Sequence, residues 1–281
     1  MTKKWLQLYG LKWNPFAPDV PIEALHVSAR LDSFGWRVEH LAREGGFAVI
    51  LGDPGTGKSV ALRLLAARLA ALRDVVVGVL TRPHAGTADF YRELGDLFHV
   101  SLRPHNRWAG AKALRDSWLA HIEAALCRPV LLVDEAQDAR PELLNELRLL
   151  ASADLDSRVI LTVVLAGDRR LQARLHDAEL LPLESRLRVK LLLDTAARDE
   201  LVQCLRHALD KAGNPRLVTP GLLDTLVDHA GGNYRTLMAH AHELLLAGAE
   251  REVTQLDETL FFDLFAPLPT ERPRPRPARG R

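Results

Sequence analysis

Cysteine is nearly missing from this sequence: Cys127 and Cys204 are the only two, they stand far apart, and their spacing fits no metal site. Neither a disulfide framework nor a cysteine-built zinc site is indicated, and reduced core thiols are the expectation. A strong excess of either charge is also absent, the formal net charge being +1. That value hides an asymmetry. The last eleven residues, ERPRPRPARGR, carry five arginines and one glutamate, and without them 32 basic face 35 acidic residues, a net −3. A slightly acidic body announces no nucleic-acid surface, so any such surface must be local. No apolar run approaches the roughly 18 residues that span a bilayer, because Arg63 and Arg68 interrupt the Leu/Ala-rich stretch that comes nearest. The opening MTKKWLQLYG lacks the apolar region of a signal peptide. A cytoplasmic protein with no membrane partner is expected.

What is present suits a folded chain: 47% apolar and 26% charged residues, over a length of 281 that suffices for one large domain or two modest ones. Residues 1–45 read as an adaptor, with the Pro-broken aromatic stretch LYGLKWNPFAPDVP followed by a helix from about Leu31 to Arg43. From Phe47 short apolar runs alternate with helix-period segments, the pattern of stacked βα units and a parallel sheet. The runs FAVIL, VVVGVL, PVLLV, VILTVVL and VKLLL predict five strands near 47–51, 75–80, 129–133, 159–165 and 189–193. The α/β domain so defined covers 46–194. After Asp194 apolar residues recur at helical spacing between Gly and Pro, predicting a small helical domain over 195–265. The Arg/Pro-rich end, 266–281, has too little apolar content to fold by itself.

Directly after FAVIL comes Gly52-Asp53-Pro54-Gly55-Thr56-Gly57-Lys58-Ser59, and then the helix-period VALRLLAARLAAL. This is GxxxxGKS between a strand and a helix. Phosphate oxygens need several converging N–H donors, which a glycine turn supplies because no Cβ blocks positive φ or close approach. Lys58 adds a positive charge toward the β and γ phosphates of ATP, and Ser59 places a hydroxyl on Mg²⁺ at the helix N-terminus.

PVLLV ends in Asp134-Glu135-Ala136-Gln137-Asp138, so a hydrophobic strand delivers two carboxylates to the sheet edge where open α/β sheets bind ligands. Asp134 is the candidate for the Mg²⁺ shell, and Glu135 for orienting and deprotonating the attacking water. The fourth run ends in Leu165-Ala166-Gly167-Asp168, where Asp168 is either a sensor beside the γ-phosphate or the N-cap of the helix RRLQARL. Before the fifth run stands Glu184-Ser185-Arg186-Leu187-Arg188, in which Arg186 is the candidate arginine finger. In Gly231-Gly232-Asn233-Tyr234-Arg235, Arg235 starts a helix that leads it back to the nucleotide of its own chain.

Four features, LYGLKWNPF, GDPGTGKS, LLVDEAQD and GGNYRTL, make residues 8 to about 262 resemble the ExeA/TnsC-like branch of AAA+ ATPases, which also includes TniB, MuB and general secretion ATPases. The last is similar to that family's G-G-x-P-R signature, with Tyr234 where the family has proline. The resemblance implies an AAA+ P-loop NTPase core of five parallel strands with a C-terminal helical lid. It also implies ATP-dependent rings or filaments in which Arg186 acts in trans. In transposition members the ATP-bound oligomer coats double-stranded DNA, recruits transposase, in some cases with a target-selection protein, and is released or remodelled on hydrolysis. Secretion members usually continue into a transmembrane segment, whereas this sequence stops at Arg281, which favours the transposition reading over a secretion or other membrane-associated ATPase subunit. Oligomers on DNA need only one or two cations per subunit, and Arg82, Arg103 and Arg107 are the candidates.

Overall fold

The computed structural model of the chain describes residues 2–80, 83, 86–102, 107–125, 127–154 and 157–265. It opens with a short helix, α1 (Thr2–Leu8), and after a turn over Ile22–Ala24 reaches α2 (Ala29–Glu44). Ser28 caps α2, its hydroxyl accepting from the Leu31 N–H, and Gly45 at φ +84° ends it. Then come β1 (Gly46–Gly52), α3 (Lys58–Ala70), β2 (Val75–Leu80), α4 (Thr87–Leu97), α5 (Arg107–Ala125), β3 (Arg128–Val133) and α6 (Pro141–Ala151). A two-residue antiparallel pair, β4 (Ser152–Ala153) with β5 (Arg158–Val159), precedes β6 (Thr162–Gly167), α7 (Arg169–Leu175), α8 (Leu181–Glu184) and β7 (Leu187–Leu193). Four helices close the described chain: α9 (Arg198–Ala212), α10 (Pro220–Ala230), α11 (Tyr234–Glu250) and α12 (Glu258–Phe265).

The five long strands form one parallel sheet in the order β2-β3-β6-β1-β7. The predicted fourth strand begins too early. Val159 belongs to the small antiparallel pair, and the Ile160 N–H bonds to the Ala151 carbonyl, so the chain joins the sheet only at Thr162.

Both faces of the sheet are covered, which is why its strands read as unbroken apolar runs. Along β1, Phe47, Val49 and Leu51 face a core shared with Phe90, Leu94 and Trp118 of α4 and α5, while Ala48 and Ile50 face Phe34, Val38, Leu62 and Leu65 of α2 and α3. The outer strands differ in character. On β7 the exposed positions include Arg188 and Lys190, whereas on β2 they are Val76 and Val79.

A separate apolar core joins α9 to α12 through Leu205, Leu226, Leu244 and Phe261. The N-terminal stretch packs here rather than simply leading into the sheet: Tyr9, Leu11 and Phe16 are buried in this helical core. Backbone bonds fix it, the Lys12 N–H to the Ala212 carbonyl and the Asn214 side-chain amide to the Tyr9 carbonyl. Further on, Arg63 of α3 donates to the carbonyls of Pro18 and Val20, so one segment ties the helical part to the phosphate-loop helix. Among the described residues no helix is long and apolar enough to cross a membrane.

Candidate nucleotide site

Parallel register brings the candidate residues together. Leu51 of β1 pairs with Gly167 of β6, and Val133 of β3 pairs with Leu165 of β6, so three neighbouring strands end at one edge of the sheet. From that edge emerge the loop Gly52–Ser59, the pair Asp134-Glu135, and Asp168.

The loop's sharp path rests on glycines with left-handed backbones, Gly55 at φ +86° and Gly57 at φ +99°. A side chain at Gly52 would meet Thr56 Oγ1 at 2.5 Å and the Leu193 carbonyl at 2.6 Å. Inside the turn the Thr56 hydroxyl donates to the Asp53 carbonyl at 2.8 Å. Lys58 is buried, and its ammonium donates to the carbonyls of Gly52 and Asp53 at 2.9 and 3.2 Å. Among the described residues no side chain caps α3, so its first-turn N–H groups suit an anion, and Ser59 stands exposed on that turn.

At the end of β3, Asp134 is half-buried and its Oδ1 accepts the Glu135 N–H at 2.9 Å. Glu135 is exposed and sits at φ +49°, ψ +41°, a left-handed conformation uncommon outside glycine. Gln137, buried, donates its side-chain amide to Glu135 Oε2, and its Oε1 accepts the Asp168 N–H at 3.2 Å. Asp168 is the N-cap of α7: its carboxylate accepts the Arg170 N–H at 2.8 Å and the Arg170 guanidinium at 2.9 Å. Burial alone would raise its pKa, but these bonds and the nearby charges of Arg170 and Lys58 hold it below the usual aspartate value. The next residue, Arg169, reaches Asp53 of the phosphate loop at 2.5 Å.

The helical part meets the same loop. Asn233 caps α11, accepting the Thr236 N–H, and its amide donates to the Pro54 carbonyl at 3.0 Å. The Tyr234 and Arg235 N–H groups donate to the Gly55 carbonyl at 3.1 and 3.4 Å. Tyr234 therefore supplies a bond for which proline has no donor. Arg235 is exposed on the first turn of α11.

Arg186 lies elsewhere. Leu187, the next residue, pairs with Phe47, while Leu193 pairs with Gly52, so Arg186 is at the opposite sheet edge from its own phosphate loop. Along β1 that separation is about 17 Å at roughly 3.3 Å per residue. The half-buried guanidinium donates to Ser152 Oγ at 3.3 Å beside a cleft that includes Ser185 and Arg188. Of the proposed DNA contacts, Arg82 and Arg103 lie outside the described residues. Arg107 has a partner that its sequence neighbourhood conceals: its guanidinium pairs with Glu146, a buried carboxylate that also accepts the Tyr91 hydroxyl. That ion pair competes with any phosphate for the guanidinium.

Sequence reasoning overlooks Gln137, Arg169 and Asn233. A glutamine two residues after a pair of strand-end carboxylates and a polar residue before a lid helix are signals, but only the folded register shows what they touch.

Residues 41–175 match a family described as an AAA domain. Over 256 residues the chain is 30% identical to general secretion pathway protein A of Aeromonas hydrophila, covering 88% of this chain but 45% of that protein, so it spans less than half of this curated relative. Among solved structures, Cdc6p from Pyrobaculum aerophilum superposes with a TM-score of 0.71 at 17% identity, covering 86% of this chain and 67% of that one. The Aeropyrum pernix ORC2 protein, in its ADPNP-ADP complexes, gives 0.68 at 16% identity, covering 89% and 70%. At such identities the two structures speak for the fold alone. Residues 41–175 thus match an AAA domain, and the described chain shares the AAA+ fold of these solved structures.

Proposed function

We propose that this chain hydrolyses ATP to ADP and phosphate at a site completed by a neighbouring copy. The observation that carries the reading is the meeting of the Lys58 loop, Asp134, Glu135 and Asp168 at one sheet edge, with Arg186 at the other. Lys58 and the loop N–H groups hold the β and γ phosphates. Ser59 and Asp134 offer the hard oxygen ligands that Mg²⁺ prefers, and the cation, when bound, offsets phosphate charge. Glu135 takes a proton from the water that attacks the γ-phosphorus as the bond to the ADP oxygen breaks. Arg186 of one copy stabilises the charge at its neighbour's site, since its own loop is a strand's length away. Asp168 and Arg235 face the nucleotide from α7 and the lid.

Lys58→Ala should abolish ATP binding, and Glu135→Gln should keep binding but lose turnover. Arg186→Ala should also bind ATP without turning it over. Mixed with Lys58→Ala subunits it should regain activity, because interfaces with an intact loop and an intact finger then form. No recovery despite demonstrated co-assembly would refute action in trans.

The setting we infer is a secretion or other membrane-associated complex. The relative named general secretion pathway protein A supports it, and it displaces the transposition reading, whose weight rested on where the sequence stops. Basal ATPase indifferent to duplex DNA is the expected result. ATP-dependent rings or filaments on duplex DNA, with affinity falling steeply as salt rises, would restore the DNA reading.

A further inference from the structure

We propose that Gln137 is a positioning residue for hydrolysis, holding the Glu135 carboxylate so that one oxygen faces the attacking water. The inference rests on the reading of Glu135 as the base. Buried polar side chains are kept where their hydrogen-bonding groups have partners, and Gln137, 6% exposed, has a defined partner at each end of its amide. Its orientation follows from chemistry. The Asp168 N–H can only donate, so the Gln137 oxygen must face it, which turns the NH₂ group toward Glu135. Glu135 Oε2 is thereby taken as an acceptor, and Oε1 remains the oxygen to receive the proton of water.

The bridge is built into the sheet edge. A Cβ at Gly167 would stand 2.7 Å from Gln137 Oε1, so the approach of the amide to the end of β6 depends on glycine there. An Arg174 guanidinium bond to the Gln137 carbonyl fixes the backbone as well. Without the bridge, an exposed glutamate with free side-chain torsions would sample many orientations. From Asp168 the connection continues one residue to Arg169 and its ion pair with Asp53 in the phosphate loop. Gln137 therefore sets the base relative to the same strand end that touches the loop.

The test uses the full chain with Gln137→Met, which keeps the length and loses the amide, and Gln137→Glu, which sets a second carboxylate against Glu135. Each is made alone and in a Glu135→Gln background. ATP affinity is measured with a fluorescent nucleotide, hydrolysis by single turnover, and folding by thermal midpoint. Expected are ATP affinity within about twofold of wild type and a hydrolysis rate lower by about tenfold to a hundredfold for Met, lower still for Glu. In the Glu135→Gln background the same changes should cost no further rate, because a residue acting through Glu135 has nothing left to position. Wild-type hydrolysis by Gln137→Met overturns the inference. So does an equal loss in both backgrounds, or a loss that tracks ATP affinity and thermal midpoint. If Glu135→Gln itself hydrolyses ATP at the wild-type rate, the base is misassigned and the inference falls with it, an outcome separate from the others.

Discussion

Gly55→Ala probes the contact between phosphate loop and lid. At φ +86° an L-residue is strained by about 1–2 kcal/mol. The new Cβ would also stand 2.2 Å from Asn233 Oδ1 and 2.6 Å from Nδ2, so the asparagine must leave. Leaving costs its cap on α11, about 1 kcal/mol, and its bond to the Pro54 carbonyl, about another. Gly55→Ala should thus destabilise by about 3–4 kcal/mol, and Asn233→Ala, which loses the same two bonds without backbone strain, by about 2. The double variant should be no less stable than Gly55→Ala alone, because Asn233 is already displaced there. The interaction between the two substitutions is then about 2 kcal/mol and positive for stability. Urea unfolding followed by tryptophan fluorescence measures all three. If the two single costs simply add, the Asn233 side chain does not lie over Gly55 and the lid meets the loop differently.

Two further outcomes follow from buried groups outside the nucleotide site. The Tyr9 hydroxyl is buried without a hydrogen-bond partner among the described residues, and burial pushes its pKa from the ordinary 10 up to about 12. The unfolded chain loses that proton first, so this contribution to stability is complete below pH 10 and is lost as pH rises toward 12. Tyr9→Phe should flatten part of the alkaline fall and be neutral to about 1 kcal/mol stabilising at pH 7, and an unchanged alkaline slope in denaturant titrations would refute this. Arg107→Ala should cost about 2 kcal/mol by leaving Glu146 buried with the Tyr91 hydroxyl but no opposite charge, a figure reduced from the fully buried case because the arginine is largely exposed. It should leave the salt dependence of any duplex-DNA binding as it is; a flatter slope would return Arg107 to the DNA contacts.

The sheet was legible because strands covered on both faces must be apolar throughout, and FAVIL, PVLLV and their companions have few other uses. The phosphate loop was legible for a similar reason: glycines at fixed offsets between strand and helix answer a local demand. Where the sequence misled, the deciding bond was distant. Ile160 extends a β-rich run, yet its N–H goes to Ala151 and delays the strand. Tyr9, Leu11 and Phe16 look like an adaptor because nothing local reveals that their cavity is formed by helices two hundred residues later. Helix α12, within ETLFFDLF, is short and mostly apolar, and its register emerges only against His229 and His240. Gln137 carries no local signature beyond its position, since its two partners meet only when β3 and β6 lie side by side.

The outer strand β2 carries a cost unrelated to nucleotides. Its sequence VVVGVL has no charge and no proline, among the described residues it pairs on one side only, and Val76 and Val79 are open to solvent. At the other margin Arg188 and Lys190 of β7 discourage a further strand from adding. β2 itself carries no charged residue, and a short, uncharged, β-branched edge is the type of segment that seeds aggregates. Material lost from concentrated solutions of this protein should therefore be lost through strand addition at β2, and a single charge at Val76 would keep more of it in solution.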